Sequence, residues 1–150
     1  MQQTLLDIDL RTLNLKHPPL FNKDDHGKYV NDWRGQYKGQ AAAILKPINT
    51  KEVSSILLFA HENNIDVVPQ GGNTSLCGAA TPDDSGRSII ISLEKMNNVR
   101  QFNKDAQTIT VESGMVLSQI HEIVENDNLF FPLSLGAQGS CMIGGNLSTN

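Results

Sequence analysis

Asp66-Val67-Val68-Pro69-Gln70-Gly71-Gly72-Asn73-Thr74-Ser75 is the stretch on which the reading of the fold turns. A short apolar strand, Asp66 to Pro69, runs straight into two adjacent glycines and three small polar side chains. Upstream, Ala42 to Leu45 is an apolar run ended by Pro47, a second strand. Between the two, Asn49 or Thr50 can cap a helix, with Glu52 in its first turn. Val53, Ile56, Leu57 and Ala60 then recur at the spacing of an amphipathic helix over 51–63. Strand, helix, strand in this order is a βαβ unit, so the two strands are expected to be parallel.

Downstream, Ser88-Ile89-Ile90-Ile91-Ser92-Leu93 is the strongest strand signal, and Gln107 to Glu112 alternates as a half-buried strand. Val116, Leu117, Ile120, Ile123 and Val124 place an apolar stripe on a second helix over about 115–127. Leu129-Phe130-Phe131-Pro132 begins another strand or extended segment. A long loop of small residues containing the glycines of 136–145 follows and runs to the end. Upstream, residues 2–16 predict a short helix, stopped by His17-Pro18-Pro19. Residues 21–40 read as loop with a turn or two, yet hold the only Trp and both Tyr. The class is α+β: residues 1–40 as an N-terminal helix and extended segment, then a small βαβ subdomain and the start of a second, mixed-sheet subdomain over 41–150.

Composition excludes several functions. The chain has 150 residues, 12 Lys+Arg against 16 Asp+Glu, and a net charge of −4. An acidic chain without a basic run is a poor partner for nucleic acid or an anionic membrane. No apolar stretch is long enough to span a bilayer. The first residues lack the pattern of a signal peptide. Cys77 and Cys141 form no CxxC, so an intracellular, cytoplasmic protein is expected. Of 12 Gly, eight lie in or near two places: Gly71, Gly72, Gly78 and Gly86, then Gly136, Gly139, Gly144 and Gly145.

The first glycine group follows a strand, where Gly-Gly admits close approach of a ligand and positive φ. Consecutive backbone N–H groups in such a turn can hold anionic oxygens without a basic side chain. Asn73, Thr74 and Ser75 add short hydrogen-bonding groups. The spacing matches neither a Walker loop nor the Rossmann fingerprint. The competing reading is an ordinary Gly-Gly-Asn turn. The second group, Pro132 to Asn150, carries four Gly and three Ser and can wrap a planar or phosphorylated cofactor, or serve only as a flexible loop. Each group ends in Gly-Gly-Asn.

Several segments then carry a resemblance. They are Asp32-Trp33-Arg34-Gly35-Gln36-Tyr37-Lys38-Gly39, Pro69 to Thr74, Ile89 to Leu93 with Glu94-Lys95-Met96-Asn97, Val111-Glu112-Ser113-Gly114, and Phe131-Pro132 with Gly136-Ala137-Gln138-Gly139-Ser140-Cys141-Met142-Ile143-Gly144-Gly145-Asn146. From about residue 20 onward the chain resembles the PCMH-type FAD-binding domain of the FAD-linked oxidases (the vanillyl-alcohol-oxidase / p-cresol-methylhydroxylase type). Within these it is most similar to the D-2-hydroxy-acid dehydrogenase branch: D-lactate, glycolate-oxidase D subunit and D-2-hydroxyglutarate dehydrogenases.

The resemblance implies that Pro69, Gln70, Gly71, Gly72, Asn73, Thr74 and Ser75 form the first cofactor loop, on the FAD pyrophosphate. It implies that Pro132, Ser134, Gly136, Ala137, Ser140, Gly144, Gly145, Asn146, Ser148 and Thr149 lie along the ribityl chain, pyrophosphate and flavin edge. The implied reaction oxidises a small D-2-hydroxy acid to the 2-oxo acid and passes electrons to an acceptor that the sequence does not identify. Where relatives with covalent FAD carry a His, this chain carries Asn73, so the FAD is expected to be noncovalent. Ser75, Cys77, Ala79 and Ala80 stand where the branch has more glycine, and Ser134 where it has an acid. The substrate clamp and metal ligands of the branch are expected beyond residue 150, which reads as a cut inside the second glycine loop. The chain alone is expected to be inactive and to bind FAD poorly or not at all. A homo-oligomer is compatible with this reading. The alternatives are the FAD domain of an enolpyruvyl-sugar reductase and a non-catalytic α/β binding module.

The remaining groups read as structural. His17, His26, His61 and His121 lack metal spacing, and His61 and His121 are expected on solvated helix faces. Cys141 and Cys77 read as small buried thiols. Trp33 is either a hydrophobic plug or a wall near the flavin.

Overall fold

The computed structural model describes residues 9–149. Part of the helix expected over 2–16 lies outside them; residues 9–11 are helical and a turn follows. A 3-10 turn, Lys23–Asp25, leads into a single helical turn, α1 (Gly27–Val30). Then come β1 (Ala43–Leu45), α2 (Thr50–Glu62), β2 (Val67–Gln70), β3 (Ile89–Ser92), β4 (Val99–Asn103), β5 (Thr108–Val111), α3 (Leu117–Glu125) and α4 (Ile143–Thr149).

The first three strands form one parallel sheet, with β3 between β1 and β2. β1 and β2 are therefore parallel as expected, but β3 separates them. Ala43, Ile44 and Leu45 and all four residues of β3 are buried, as continuous apolar strands covered on both faces should be. Side chains alternate between the faces. Ile89 and Ile91 join Ala43, Leu45, Leu10 and the Ile56 and Ala60 stripe of α2 on one side. Ile90 and Ile44 meet Tyr29, Val30 and Ala41 on the other. The N-terminal segment thus builds half of the sheet's cover, and Leu20 bridges to Ile44. Asn49 caps α2 by accepting from Glu52 N at 2.9 Å. The Glu52 carboxylate accepts in turn from Ile48 N and Lys16 N.

β4 and β5 make an antiparallel hairpin with an irregularity between Val99 and Gln101. Only β5 is legible in the sequence pattern. Glu112, just past β5, ties the hairpin down. Its side chain is buried and accepts from Asn98 N at 3.0 Å, Asn98 Nδ2 at 2.8 Å and Arg100 Nη2 at 3.0 Å. The Asn98 N–H above all holds this carboxyl below its usual range. Leu117, Ile120 and Val124 bury the stripe of α3. Met115 and Ile120 close a third cluster with Ile143, against which Phe131 and Leu133 pack. Leu129 to Pro132 form no strand.

The end of the second glycine stretch is helix rather than loop. Ile143 is buried, and the first turn of α4 is tied down by Ile143 N to Met115 O and Gly144 N to Ser113 O, both at 2.9 Å. Tertiary anchors thus impose a helix that Gly144 and Gly145 would not form unaided. Gly72 joins the two glycine segments: a Cβ there would sit 2.0 Å from the Ser140 carbonyl oxygen. No helix among the described residues is long and apolar enough to cross a membrane.

Two outcomes follow from this packing. Gly72→Ala should cost roughly 1–3 kcal/mol of stability, whereas Gly136→Ala, with open space around its Cβ position, should stay within about 0.5 kcal/mol of wild type; denaturant unfolding compares them. Because the Glu112 pKa is lowered by folding, its stabilising contribution is present above the ordinary carboxylate range and is lost as pH falls through it. Glu112→Gln should therefore show a shallower loss of stability on acidification than wild type, read as thermal midpoints from neutral pH down to about pH 3.

Candidate functional site

A cleft of about 860 Å³ opens between the chain leaving the carboxyl end of β2 and the segment that ends in α4. Ligands of open parallel sheets bind at this end of the strands. Gln70 fixes the loop from below. It is 2% exposed, and its Nε2 donates to Tyr29 O at 2.8 Å and Ala80 O at 2.7 Å. The next residues turn sharply, with Asn73 at φ +53°. Gly71 and Gly72 are not in the left-handed region, so Gly72 is required by the approach of Ser140 and not by its φ. Asn73 Nδ2 donates to Asn31 O at 2.8 Å and Lys28 O at 3.3 Å. An amide has two donor hydrogens, so this side chain has none left for a ligand.

The backbone N–H groups of Gly71, Gly72, Asn73, Thr74 and Ser75 donate to no group of the protein among the described residues. These N–H groups belong to half-buried residues, and consecutive free donors of this kind are the donor set that an anion nest uses. No Lys, Arg, Asp or Glu among the described residues lines the cleft. Nearby Arg34 is engaged: its Nη2 donates to Leu76 O at 2.6 Å, and its Nε lies 4.0 Å from the Asp32 carboxylate. The Tyr37 N–H, at 2.8 Å, is the main cause that lowers the Asp32 pKa, and Arg34 adds to it.

The opposite wall comes from Leu135, Gly136, Ala137, Ser140 and Cys141, then Gly145, Asn146, Ser148 and Thr149 on α4. The N–H groups of Ile143 and Gly144 are already spent on carbonyls. Three buried side-chain oxygens lack a partner among the described residues, and Asn146 Oδ1 is the one that belongs to this cleft.

The structure brings together Pro69, Gly71, Gly72, Asn73, Thr74 and Ser75 with Gly136, Ala137, Ser140, Gly145, Asn146, Ser148 and Thr149. It leaves out four residues expected at the site. Gln70 is the buried pin described above. Gly144 packs on Ser113, where a Cβ would lie 2.7 Å from the Ser113 side chain. Pro132 lines a separate hollow of about 450 Å³ beside Phe102 and Phe130. Ser134 is exposed outside the cleft.

Trp33, 63% exposed, stands in the cleft wall and is not a plug. Leu76, Ala79, Ala80, Leu135, Cys141 and Met142 also line the cleft. Their one sequence signal is adjacency to the glycines, and apolar residues read otherwise as core. Cys141 is buried as expected, but Cys77 is exposed. The Ser75 hydroxyl, 3.0 Å from its Sγ, is the main influence lowering the Cys77 pKa. His121, expected on a solvated face, is half-buried, with Nε2 2.9 Å from Leu133 O.

Comparison with known proteins agrees with this architecture. A D-2-hydroxyglutarate dehydrogenase, mitochondrial, from Bos taurus is 41% identical over 119 residues, 79% of this chain and 22% of that protein. A D-2-hydroxyglutarate dehydrogenase from Xanthomonas citri is 35% identical over 138 residues, 92% of this chain and 28% of that one. The chain therefore spans about a quarter of the length of these relatives. Among solved structures, an alkyldihydroxyacetonephosphate synthase superposes with a TM-score of 0.82 over 94% of this chain and 28% of its own, at 20% identity, which places the fold in the PCMH-type class. A family model described as FAD binding domain matches residues 41–150, and the chain belongs to that family.

Proposed function

We propose that the cleft holds FAD noncovalently, with its pyrophosphate on the free backbone N–H groups of Gly71 to Ser75. That run of unpaired donors is the observation that carries the reading. It supplies partial positive charge where the wall has no basic side chain among the described residues, which suits a diphosphate held by an acidic chain. Pro69, Gly71, Gly72, Asn73, Thr74 and Ser75 would serve from one side. Gly136, Ala137, Ser140, Gly145, Asn146, Ser148 and Thr149 would serve from the other. Asn73 contributes its backbone N–H alone. Gln70 and Gly144 act by holding the two walls in place, and Pro132 and Ser134 by shaping the segment that leads to Gly136. The boundaries 1–40 and 41–150 belong to this reading, with described residues of the first segment, Leu10, Tyr29 and Val30 among them, packed on the sheet of the second.

The full-length protein would oxidise a D-2-hydroxy acid to the 2-oxo acid and hand the electrons to a separate acceptor. The names of the cattle and Xanthomonas relatives support the substrate class. When bound, FAD supplies the two-electron acceptor for that oxidation. The chain's own part is to orient the cofactor, with Trp33, Leu135 and Met142 as apolar wall and the glycine backbones giving close approach. The carboxamide of Asn73 is not a nucleophile, which supports noncovalent attachment. A homo-oligomer and a cytoplasmic location complete the reading. The name of the cattle relative gives a mitochondrial location and that of the Xanthomonas relative gives none, so imaging of the tagged full-length protein decides the compartment.

The full-length protein should purify yellow, release its flavin into the supernatant on acid precipitation, and oxidise D- but not L-2-hydroxy acids. Residues 1–150 alone should show no turnover. A colourless protein with no affinity for added FAD would refute the reading, and flavin retained in the precipitate would refute noncovalent attachment.

A further inference from the structure

The loop that carries the free N–H groups leans on α1. Gln70 Nε2 donates to Tyr29 O, and Asn73 Nδ2 donates to Lys28 O and Asn31 O. All three acceptors belong to α1 or to the residue that ends it. The last carbonyls of a helix have no partner within it. Two side chains of the loop therefore complete α1, and α1 in turn fixes the loop. A single helical turn has no stability of its own, so α1 must itself be held.

Packing of Tyr29 and Val30 on Ile44 and Ile90 seats α1 on the sheet. Apolar contact is non-directional and does not by itself fix the orientation of one turn. Glu94, at the exit of the central strand β3, supplies the directional tie. Tyr29 Oη donates to Glu94 Oε1 at 3.2 Å, and Lys28 Nζ donates to Glu94 Oε2 at 3.2 Å. Lys46 Nζ lies 3.9 Å from Oε1. The same strand end holds the root of the loop, since Leu93 N donates to Gln70 O at 2.9 Å. Tyr29 makes the firmer of the two bonds. It is 4% exposed, whereas the Lys28 side chain is 68% exposed, and an ion pair facing water contributes little. Glu94 does not line the cleft.

We propose that Glu94 is a positioning residue for the phosphate seat, acting from outside the cleft through the Tyr29 hydroxyl and the carbonyls of α1. The proposal rests on the FAD reading and deepens it. With the tie cut, the loop samples arrangements in which its N–H groups no longer converge. Affinity then falls by the fraction of molecules that keep the competent arrangement. That factor is common to every ligand that needs the nest, whatever else the ligand carries.

Four variants of the full-length protein test this: Glu94→Leu, Glu94→Gln, Tyr29→Phe and the double variant of Glu94→Leu with Tyr29→Phe. Inorganic pyrophosphate, ADP and FAD are titrated into each apo protein. Glu94→Leu and Tyr29→Phe should each weaken all three ligands about three- to ten-fold, the scale of one hydrogen bond. The double variant should bind no more weakly than either single one, because both remove the same bond. Glu94→Gln still accepts from Tyr29 Oη and should stay within about two-fold of wild type. In nuclear magnetic resonance of apo Glu94→Leu, the Gly71 to Ser75 amide signals should move. Those of α2, on the opposite face of the sheet, should stay in place, which a general loss of stability would not produce. Unchanged affinity in Glu94→Leu, additive losses in the double variant, a loss in Glu94→Gln as large as in Glu94→Leu, or unmoved loop amides would each overturn the proposal. Should Glu94→Leu fail to fold, Tyr29→Phe, which deletes a single oxygen, is read against Glu94→Gln by the same titrations. Failure of wild type itself to bind FAD overturns the cofactor reading and this proposal together; wild-type binding with an indifferent Glu94→Leu overturns this proposal alone.

Discussion

The approach of the Gly72 backbone to the Ser140 carbonyl is the constraint on which the site depends. A hypothetical Cβ on Gly72 falls 2.0 Å from that oxygen, well inside any tolerable contact, so the two walls of the cleft meet only if residue 72 carries no side chain. Each wall is anchored in its own core. The first hangs from the parallel sheet through Gln70, whose amide reaches Tyr29 and Ala80. The second is fastened through Ile143 to Met115 and Ile120. The cleft is the space left between two rigid attachments that touch at one glycine.

On the proposed reading, this geometry would let an acidic chain hold an anion. A basic side chain would deliver a full charge but would need its own counterion or solvation in a small apolar cleft. A row of backbone dipoles delivers fractional charge with no such cost and is already in position before the ligand arrives. The polar side chains near the row are spent on structure: Asn73 on Lys28 and Asn31, Arg34 on Leu76. Their work is to hold the row still.

Much of the fold was legible in the sequence because its first half obeys local periodicity. The helix of the βαβ unit shows in the spacing of Ile56 and Ala60, and β3 in its own unbroken apolar run. β4 was not legible, since only Phe102 of its residues is half-buried and the rest are exposed, leaving no alternation to read. α4 was not legible either, because its helix is set by Ile143 docking on a distant cluster while Gly144 and Gly145 argue locally for a loop. At the site, the glycine stretches marked the two segments that line the cleft. The side-chain roles were less visible. Gln70 and Asn73 look like ligand groups in isolation, and only contacts with residues about 40 positions upstream turn them into struts. Trp33 joins the wall from a similar distance, where no local spacing could announce it.

On the proposed reading the amides of Gly71 to Ser75, and not any charged side chain, hold the cofactor's phosphates. The most direct measurement is nuclear magnetic resonance of isotope-labelled backbone amides and arginine side chains in the full-length apo protein during titration with FAD. The account predicts large downfield movement of the amide protons of this run, with slowed solvent exchange, while the Arg34 guanidinium signal stays in place. Movement of Arg34 or Lys28 signals with the Gly71 to Ser75 amides unchanged would contradict it.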